Sequence, residues 1–462
     1  MIFFWTDILF FILLLMLAAS IVRTRSKEHL RRPWRKVARS KSAMVSLTVL
    51  VFYFGFAILD SIHFHPTEAQ NGQGKFKTEA ISLLDWWASP LRLQVEKTYS
   101  APFATTAFAR ETIRGADGVP RRAYPRLQYG GKHLADPENE KDSDILQTAG
   151  KGIAHGLLAW LVLAGLLNVA RSRAARMPYI QCGKEMLQGN TEMPWQAMLL
   201  TLLLLLVLGF GLGELSLKYH VFGTDKVGGD VFFQSLKSIR TGLLIGTLTT
   251  FITLPLALAL GILAGYFRGW VDDVIQYIYT TLNSIPGVLL IAASMLLMQA
   301  YMARHEDEFA SLALRADFRL LFLCMILGLT SWTGLCRLLR AETLKLREME
   351  YVQAARALGT RQGNILLRHI LPNVFHLVLI SVALDFSSLV LAEAVLSYVN
   401  IGVDPTTESW GNMINSARLE MAREPVVWWS LSAAFVFMFA LVLAANLFAD
   451  AVRDAFDPRR AE

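Results

Sequence analysis

Cysteine is scarce, with three among 462 residues, and their placement suggests neither a crosslink nor a metal. Cys324 and Cys336 lie on one apolar run, about 18 Å apart along a helix, which is beyond disulfide reach. Cys182 stands alone, and no Cys/His spacing resembles a zinc site, so small buried or reduced thiols and no metal site are expected. Charge is scarce as well: 18% of residues are charged against 54% hydrophobic, and the mean hydropathy is +0.39. That poverty excludes an ordinary soluble enzyme and makes lipid the solvent for much of the chain. A GxxxxGK[ST] phosphate loop is also missing, so ATP hydrolysis is not expected of this chain. The net charge of +7 does not point to nucleic acid, because Arg23 to Lys41 holds nine Lys/Arg against the single acid Glu28 and accounts for the whole excess. A basic run between two apolar segments suits a cytoplasmic loop beside anionic headgroups.

Long apolar runs are what the chain has in quantity. They span Ile2 to Val22, Ala43 to Ile62, Ile153 to Ala170, Ala197 to Leu217, Ile239 to Phe267, Val274 to Met302, Leu320 to Leu335, Val374 to Val399 and Val426 to Ala449. Each can cross about 30 Å of hydrocarbon as a helix, and lipid tolerates no other spanning structure from such segments. The fold class is therefore an all-α integral membrane protein of about nine transmembrane helices. The first run has its positive charges behind it and no small-residue cleavage site before Arg23, so it reads as a retained anchor. Basic residues recur on alternate sides, in Arg23 to Lys41, at Arg171, Arg173, Arg176 and Lys184, between Arg337 and Arg368, and at Arg453, Arg459 and Arg460. Those loops are expected in the cytoplasm, with the N-terminus outside and the C-terminus inside. The stretch His63 to Lys151 then falls outside; with Trp86, Trp87, Pro90, Pro102, Pro120, Pro125 and Pro137 but no sustained apolar period, it reads as a small irregular domain.

Within the apolar second half lies a polar stretch, AETLKLREMEYVQAARALGTRQGNILLRHILPN from Ala341. Tyr351, Ala354, Ala355 and Leu358 recur at i, i+3, i+4 and i+7 and share one face of a helix. Gly359 is placed to end that helix in a left-handed cap. A second short helix follows, with Ile365, Leu366, His369 and Ile370 on its apolar side, until Pro372 stops it or begins the next crossing. The product is an elbow at the membrane surface, which periodicity alone reads as an amphipathic tie between two spans sooner than as a knob for a neighbouring protein.

The residues themselves add more. Gln353-Ala354-Ala355, three intervening residues, Gly359 and then Leu371-Pro372 resemble the EAA loop of ABC importer permeases, and the flanking Glu350-Tyr351-Val352 and Leu367 to Asn373 resemble the dipeptide/oligopeptide class. Gln353 stands where that family usually has Glu. The resemblance runs in order from Phe222-Gly223-Thr224-Asp225 and Gly229-Asp230-Val231 through Leu263 to Phe267, Gly269 to Asp272, Ser284-Ile285-Pro286, Ala392-Glu393-Ala394 and Ser409 to Met413 to Asp454-Ala455-Phe456-Asp457-Pro458-Arg459. It implies a six-helix permease core at 219–462 with the coupling loop at 337–372. Ahead of it lie an anchor and basic loop at 1–42, a helix at 43–62, an extracytoplasmic insertion at 63–152 and an extra hairpin at 153–218. It further implies a subunit of a binding-protein-dependent importer in a bacterial plasma (inner) membrane. Its partners would be a second permease subunit, cytoplasmic ATPases that hold ATP and magnesium, and an extracytoplasmic substrate-binding protein; no cofactor is expected in this chain. The ATPase-coupling residues carried over are Glu350, Tyr351, Gln353, Ala354, Ala355, Leu358, Gly359, His369, Leu371 and Pro372. Family members of this look carry peptides, nickel or peptide-like antibiotics.

Inside the expected spans, Gly242/Gly246 and Gly261/Gly265 form two GxxxG pairs around Pro255, a signal of close helix packing. Asp385 and Glu393 place charge where charge is expensive, and with Asn283 they are the candidates for lining a pathway. Asn283, Ser284 and Pro286 interrupt a span, so a freed carbonyl there either faces a cavity or marks a packing kink. A non-transporting scaffold or sensor of permease shape stays open as an alternative, as does, more weakly, a membrane-embedded enzyme, for which no nucleophile-base pair stands out.

Overall fold

The computed structural model describes residues 4–25, 28–64, 80–114, 120–189, 191–307, 309 and 311–456. Helices dominate: α1 Trp5–Arg25, α2 Glu28–Arg39, α3 Lys41–Asp60, α4 Leu83–Trp87, α5 Ser89–Leu93, α6 Pro137–Ala175, α7 Tyr179–Gln188, α8 Trp195–Ser216 and α9 Val231–Phe267. They continue as α10 Trp270–Ser284, α11 Gly287–Arg304, α12 Leu312–Arg347, α13 Glu350–Ala357, α14 Gln362–Ile365, α15 Leu371–Tyr398, α16 Trp410–Glu420 and α17 Trp429–Phe456. The strands are two short antiparallel pairs, β1 His63–Phe64 with β2 Ile81–Ser82, and β3 Glu111–Arg114 with β4 Pro120–Ala123. The expected Asp457-Pro458-Arg459 and Arg460, and residues 65–79 of the outer stretch, lie outside the described residues.

Among the described residues eight helices are long and apolar enough to cross a membrane: α1, α3, α6, α8, α9, α11, the continuous run Gln362–Tyr398, and α17. Two of the sequence expectations change. Val274 to Met302 is not one helix, because α10 ends at Ser284 and α11 starts at Gly287; Pro286 between them lacks the N–H that a continuing helix needs. The segment Leu320 to Leu335 is not among the eight; it is the middle of α12, a helix of 36 residues with Arg315, Asp317 and Arg319 before it and Arg337 and Arg340 after it. The helix expected from Ile153 begins instead at Pro137, where Asp136 caps it by accepting the Glu138 N–H.

The chain forms two compact units. The first comprises Ala38–Thr241 and Glu408–Ala444. Here α6 and α8 approach to backbone contact: a Cβ on Gly152 would stand 2.7 Å from the Gly211 Cα, and one on Gly156 2.8 Å from the Val207 Cα. Cys182 and Met186 of α7 are buried with Leu199 beneath Trp160 and Trp195. The segment between α5 and α6 is braced along residues 218–230 by backbone bonds. The Glu96 N–H donates to Gly228, the Phe103 N–H to His220, the Thr224 N–H to Ser100 and the Gly131 N–H to Lys218, at 2.9 to 3.1 Å. Beneath this brace His220 is buried between two carboxylates, its Nδ1 2.8 Å from Asp230 and its Nε2 3.5 Å from Glu96. Burial opposes charge on the imidazole, yet Asp230 and Glu96 outweigh it and raise the pKa to about 9. Burial opposes charge on Glu96 too, but His220 and the N–H groups of Gln128, Tyr129 and Gly130 hold its pKa at about 2.

The second unit comprises Phe3–Val37, Gly242–Thr407 and Ala445–Glu462. The α9 and α12 backbones nearly touch in it. A Cβ on Gly261 would lie 2.8 Å from the Cys336 carbonyl, one on Gly265 2.6 Å from the Thr343 Cβ, and one on Gly328 2.7 Å from Ile252. The pair Gly261/Gly265 is therefore the close-packing seam that GxxxG spacing suggests, and Gly328 extends it from the α12 side. Helix α1 is fastened to α12 by Asp317, whose carboxylate accepts the Trp5 N–H at 2.9 Å and also the Thr6 hydroxyl. An acidic acceptor at a helix N-terminus satisfies otherwise orphaned donors. All three cysteines are free and buried.

Candidate functional site

The elbow is built by α13, a left-handed turn, α14 and a widened turn that runs into α15. Gly359 adopts φ +74, its N–H donating to the Arg356 carbonyl and the Thr360 N–H to that of Ala355; glycine takes that conformation without steric cost. The second leg continues through a π-turn at Leu366–Ile370 into α15. Pro372 offers no N–H to the Arg368 carbonyl, and the widened turn accommodates its ring. Ile365 and Ile370 are fully buried, with Leu366 and His369 half-buried, as the expected apolar side requires.

The first leg is rooted differently from its periodicity. Val352, 2% exposed, packs with Ile365, Ile370 and Val374 into the core that also holds Leu335, Leu339 and Leu346. Tyr351, Ala354 and Leu358, three of the four stripe residues, face outward, Leu358 being 86% exposed, and Ala355 is half-buried at the edge. The eight residues of α13 offer one buried anchor, Val352, with Ala355 packed at the edge of the same core.

Polar contacts stiffen the elbow. Across it, Asn373 Nδ2 donates to the Tyr351 hydroxyl at 3.1 Å and to the His369 carbonyl at 2.6 Å, with the Tyr351 and His369 rings 6.3 Å apart. Partial burial raises the Tyr351 pKa, which keeps the phenol neutral. Gln353 Nε2 donates to Glu348 at 3.1 Å, and the same carboxylate takes Arg268 at 2.9 Å. Below it, Arg340 grips Asp272 with two parallel bonds of 2.5 and 2.6 Å. Arg347 donates to the Tyr266 carbonyl at 2.7 Å. Glu350 and Gly359 are exposed, Leu371 is half-buried and Pro372 exposed. Sequence reasoning did not find Val352, Glu348, Arg268, Arg340 or Asp272 as supports. Asp272 stood in the quoted Gly269 to Asp272 stretch, and its Arg340 partner was the missing half.

The three intramembrane candidates are not brought together in one site. Asn283 Oδ1 accepts the Thr333 hydroxyl at 3.1 Å. Glu393 is buried and accepts the Ser397 hydroxyl at 2.7 Å. Asp385 is half-buried and lines a small cavity with Thr250, Thr253, Leu254, Ser331 and Leu389. Among the described residues no group of three His, Cys, Asp or Glu side chains is placed to hold a metal ion.

Known proteins resemble this chain where the elbow and its core lie. Residues 257–462 match the family described as binding-protein-dependent transport system inner membrane component. A glutathione transport system permease protein of Pectobacterium atrosepticum is 32% identical over 240 residues, 52% of this chain and 73% of that protein. An oligopeptide transport system permease protein of Mycobacterium bovis is 30% identical over 239 residues, 52% of this chain and 76% of that protein. A dipeptide transport system permease protein of Lactococcus lactis is 30% identical over 243 residues, 53% of this chain and 65% of that protein. The chain thus belongs to the binding-protein-dependent transport system inner membrane components, the multi-pass permease subunits of ABC transporters, which work with ATPase and substrate-binding partners.

Proposed function

We propose that this permease moves peptides or peptide-like solutes and that residues 350–372 are the surface through which a cytoplasmic ATPase drives it. One observation carries the second half of that reading: α13 is pinned by the buried Val352 while Tyr351, Ala354 and Leu358 stay uncovered. A rigid root with an unpartnered apolar tip is the form a force-transmitting knob takes, because an isolated surface helix of 8 residues would not hold its shape without tertiary support. ATP and magnesium are then bound by the partner. Closure of a pair of ATPases would push the elbow and switch access between the two sides, with a second permease subunit completing the pathway. The relatives named for glutathione, dipeptide and oligopeptide transport support the cargo class.

The eight apolar helices and α12 together give nine crossings, with α10 and α11 counted as one broken passage. At 1.5 Å per residue α12 is about 54 Å long, enough to cross and extend beyond the bilayer. On this count we read the elbow and C-terminus as cytoplasmic and the N-terminus and the stretch His63 to Lys151 as lying outside, the orientation that the basic loops suggest. Co-purification tests the coupling. The wild-type chain should bring down an ATPase, and Ala355→Asp or Gly359→Asp should lose it while the permease stays monodisperse; retention of the ATPase by both variants would refute the elbow reading.

A further inference from the structure

We propose that the cavity bordered by Thr250, Thr253, Ser331 and Asp385 is a subsite for a compact monocation, either the ammonium group of the transported solute or an inorganic cation. The inference rests on the permease reading and gives its candidate Asp385 a ligand. The walls come from α9, α12 and α15, all within the second unit, and they leave room for roughly one water-sized group.

Its hydrogen-bonding character is one-sided. Thr250 Oγ1 donates to the Gly246 carbonyl at 2.7 Å, and Thr253 Oγ1 to the Thr249 carbonyl at 2.9 Å. Both hydroxyl hydrogens are thereby spent on the helix's own backbone, and what each hydroxyl can still offer is a lone pair. The Asp385 carbonyl accepts the Ser388 hydroxyl at 2.8 Å, whereas its carboxylate meets no hydrogen-bond donor or cationic side chain among the described residues. No Lys or Arg lines the cavity. Two spent threonine hydroxyls and one carboxylate, set between Leu254 and Leu389, suit a group that is all donor or all positive charge; the Ser331 hydroxyl can turn a lone pair to the same group, and a carboxylate ionised within a membrane span needs a compensating cation. An ammonium head has three donors and no acceptor, matching Asp385 with the two threonine oxygens. Glu393 offers a contrast: it is buried and already receives Ser397. Ser331 is exposed and Asp385 half-exposed, so the cavity is not sealed within this chain.

Infrared difference spectroscopy on the purified complex in lipid nanodiscs tests this without requiring transport. Methylammonium chloride, sodium chloride, alanyl-alanine and N-acetyl-alanyl-alanine are perfused in turn against N-methylglucamine chloride, and the carboxyl region is recorded for wild type, Asp385→Asn and Asp385→Glu. The expected result is a saturable carboxylate band with methylammonium and alanyl-alanine, absent with the acetylated peptide, lost in Asp385→Asn and shifted in frequency in Asp385→Glu. Thr250→Val should raise the half-saturating methylammonium concentration roughly tenfold, the loss of one contact to a charged group. A band with sodium alone assigns the subsite to an inorganic cation. No Asp385-dependent band with any probe overturns the proposal. ATPase co-purification by the same variants separates that failure from failure of the permease reading.

Discussion

At the scale of single residues, the elbow is governed by a few side chains whose burial and exposure make opposite predictions. Leu358 is 86% exposed, so Leu358→Asp should change stability by no more than about 0.5 kcal/mol yet abolish ATPase retention on a pull-down. Val352 is the reverse case: Val352→Asp puts an unpaired charge in the core and should lower the melting temperature of the complex as well as its ATPase content. Gly359→Ala meets no atom within 4 Å, so its penalty is only left-handed backbone strain, about 1 kcal/mol in a thermal unfolding comparison. Arg340→Ala strands the Asp272 carboxylate and should cost about 2 kcal/mol by the same measurement. Much of this was legible in the sequence. A glycine after a short helical period reads as a cap, and alternation every three to four residues finds the face. Periodicity could not say that the face points away from the core, because Val352 lies one position off the stripe and a single buried residue is enough to root so short a helix.

At the scale of elements, the apolar runs carried most of the architecture, since a span long enough to cross lipid has few alternatives. The break between α10 and α11 was visible in Asn283-Ser284-Pro286 as an interruption, although not as two separate helices. The start of α6 was not visible, because 137–152 is polar and its helicity comes from the Asp136 cap and packing along α8. Of the seam between α9 and α12, the α9 half was legible as GxxxG, while Gly328 has no sequence partner that marks it. A Cβ at Gly265 would sit 2.7 Å from the Arg340 backbone carbonyl as well as 2.6 Å from Thr343. Gly265→Val should therefore push the helices apart at about 1–3 kcal/mol, read as a lower melting temperature of the purified complex, whereas Gly334→Ala, with nothing within 4 Å, should leave it unchanged.

At the scale of the whole molecule, the chain joins a family core to an outer segment tied down by charge. Glu96 and His220 are far apart in sequence, so no local pattern announces their pairing with Asp230, which appears only when residues 94–114 and 120–131 fold along 218–230. The sign of its pH response follows from the two shifts. His220 is raised from 6.5 to about 9, so its contribution is complete below 6.5 and fades as pH rises through about 9. Glu96 is lowered from 4.5 to about 2, so its contribution is complete above 4.5 and is lost only as pH falls through about 2. Hydrogen exchange at residues 94–114 and 120–131 should therefore be slowest between about pH 4.5 and 6.5 once corrected for intrinsic rates. It should accelerate toward pH 9, and His220→Ala should remove that alkaline step while destabilising the segment by at most about 3–5 kcal/mol, because Asp230 and Glu96 lose their shared cation and keep only backbone N–H donors.

The central claim is that the tip of α13 meets the ATPase, and proximity crosslinking tests it most directly. The native cysteines are buried, so Leu358→Cys and, as an outer control, Leu93→Cys at another exposed position can each be treated with a short thiol-to-amine crosslinker in membranes holding the assembled transporter. The account predicts an adduct containing the ATPase from Leu358→Cys, sensitive to added nucleotide, and none from Leu93→Cys. An ATPase adduct from Leu93→Cys with none from Leu358→Cys would contradict it.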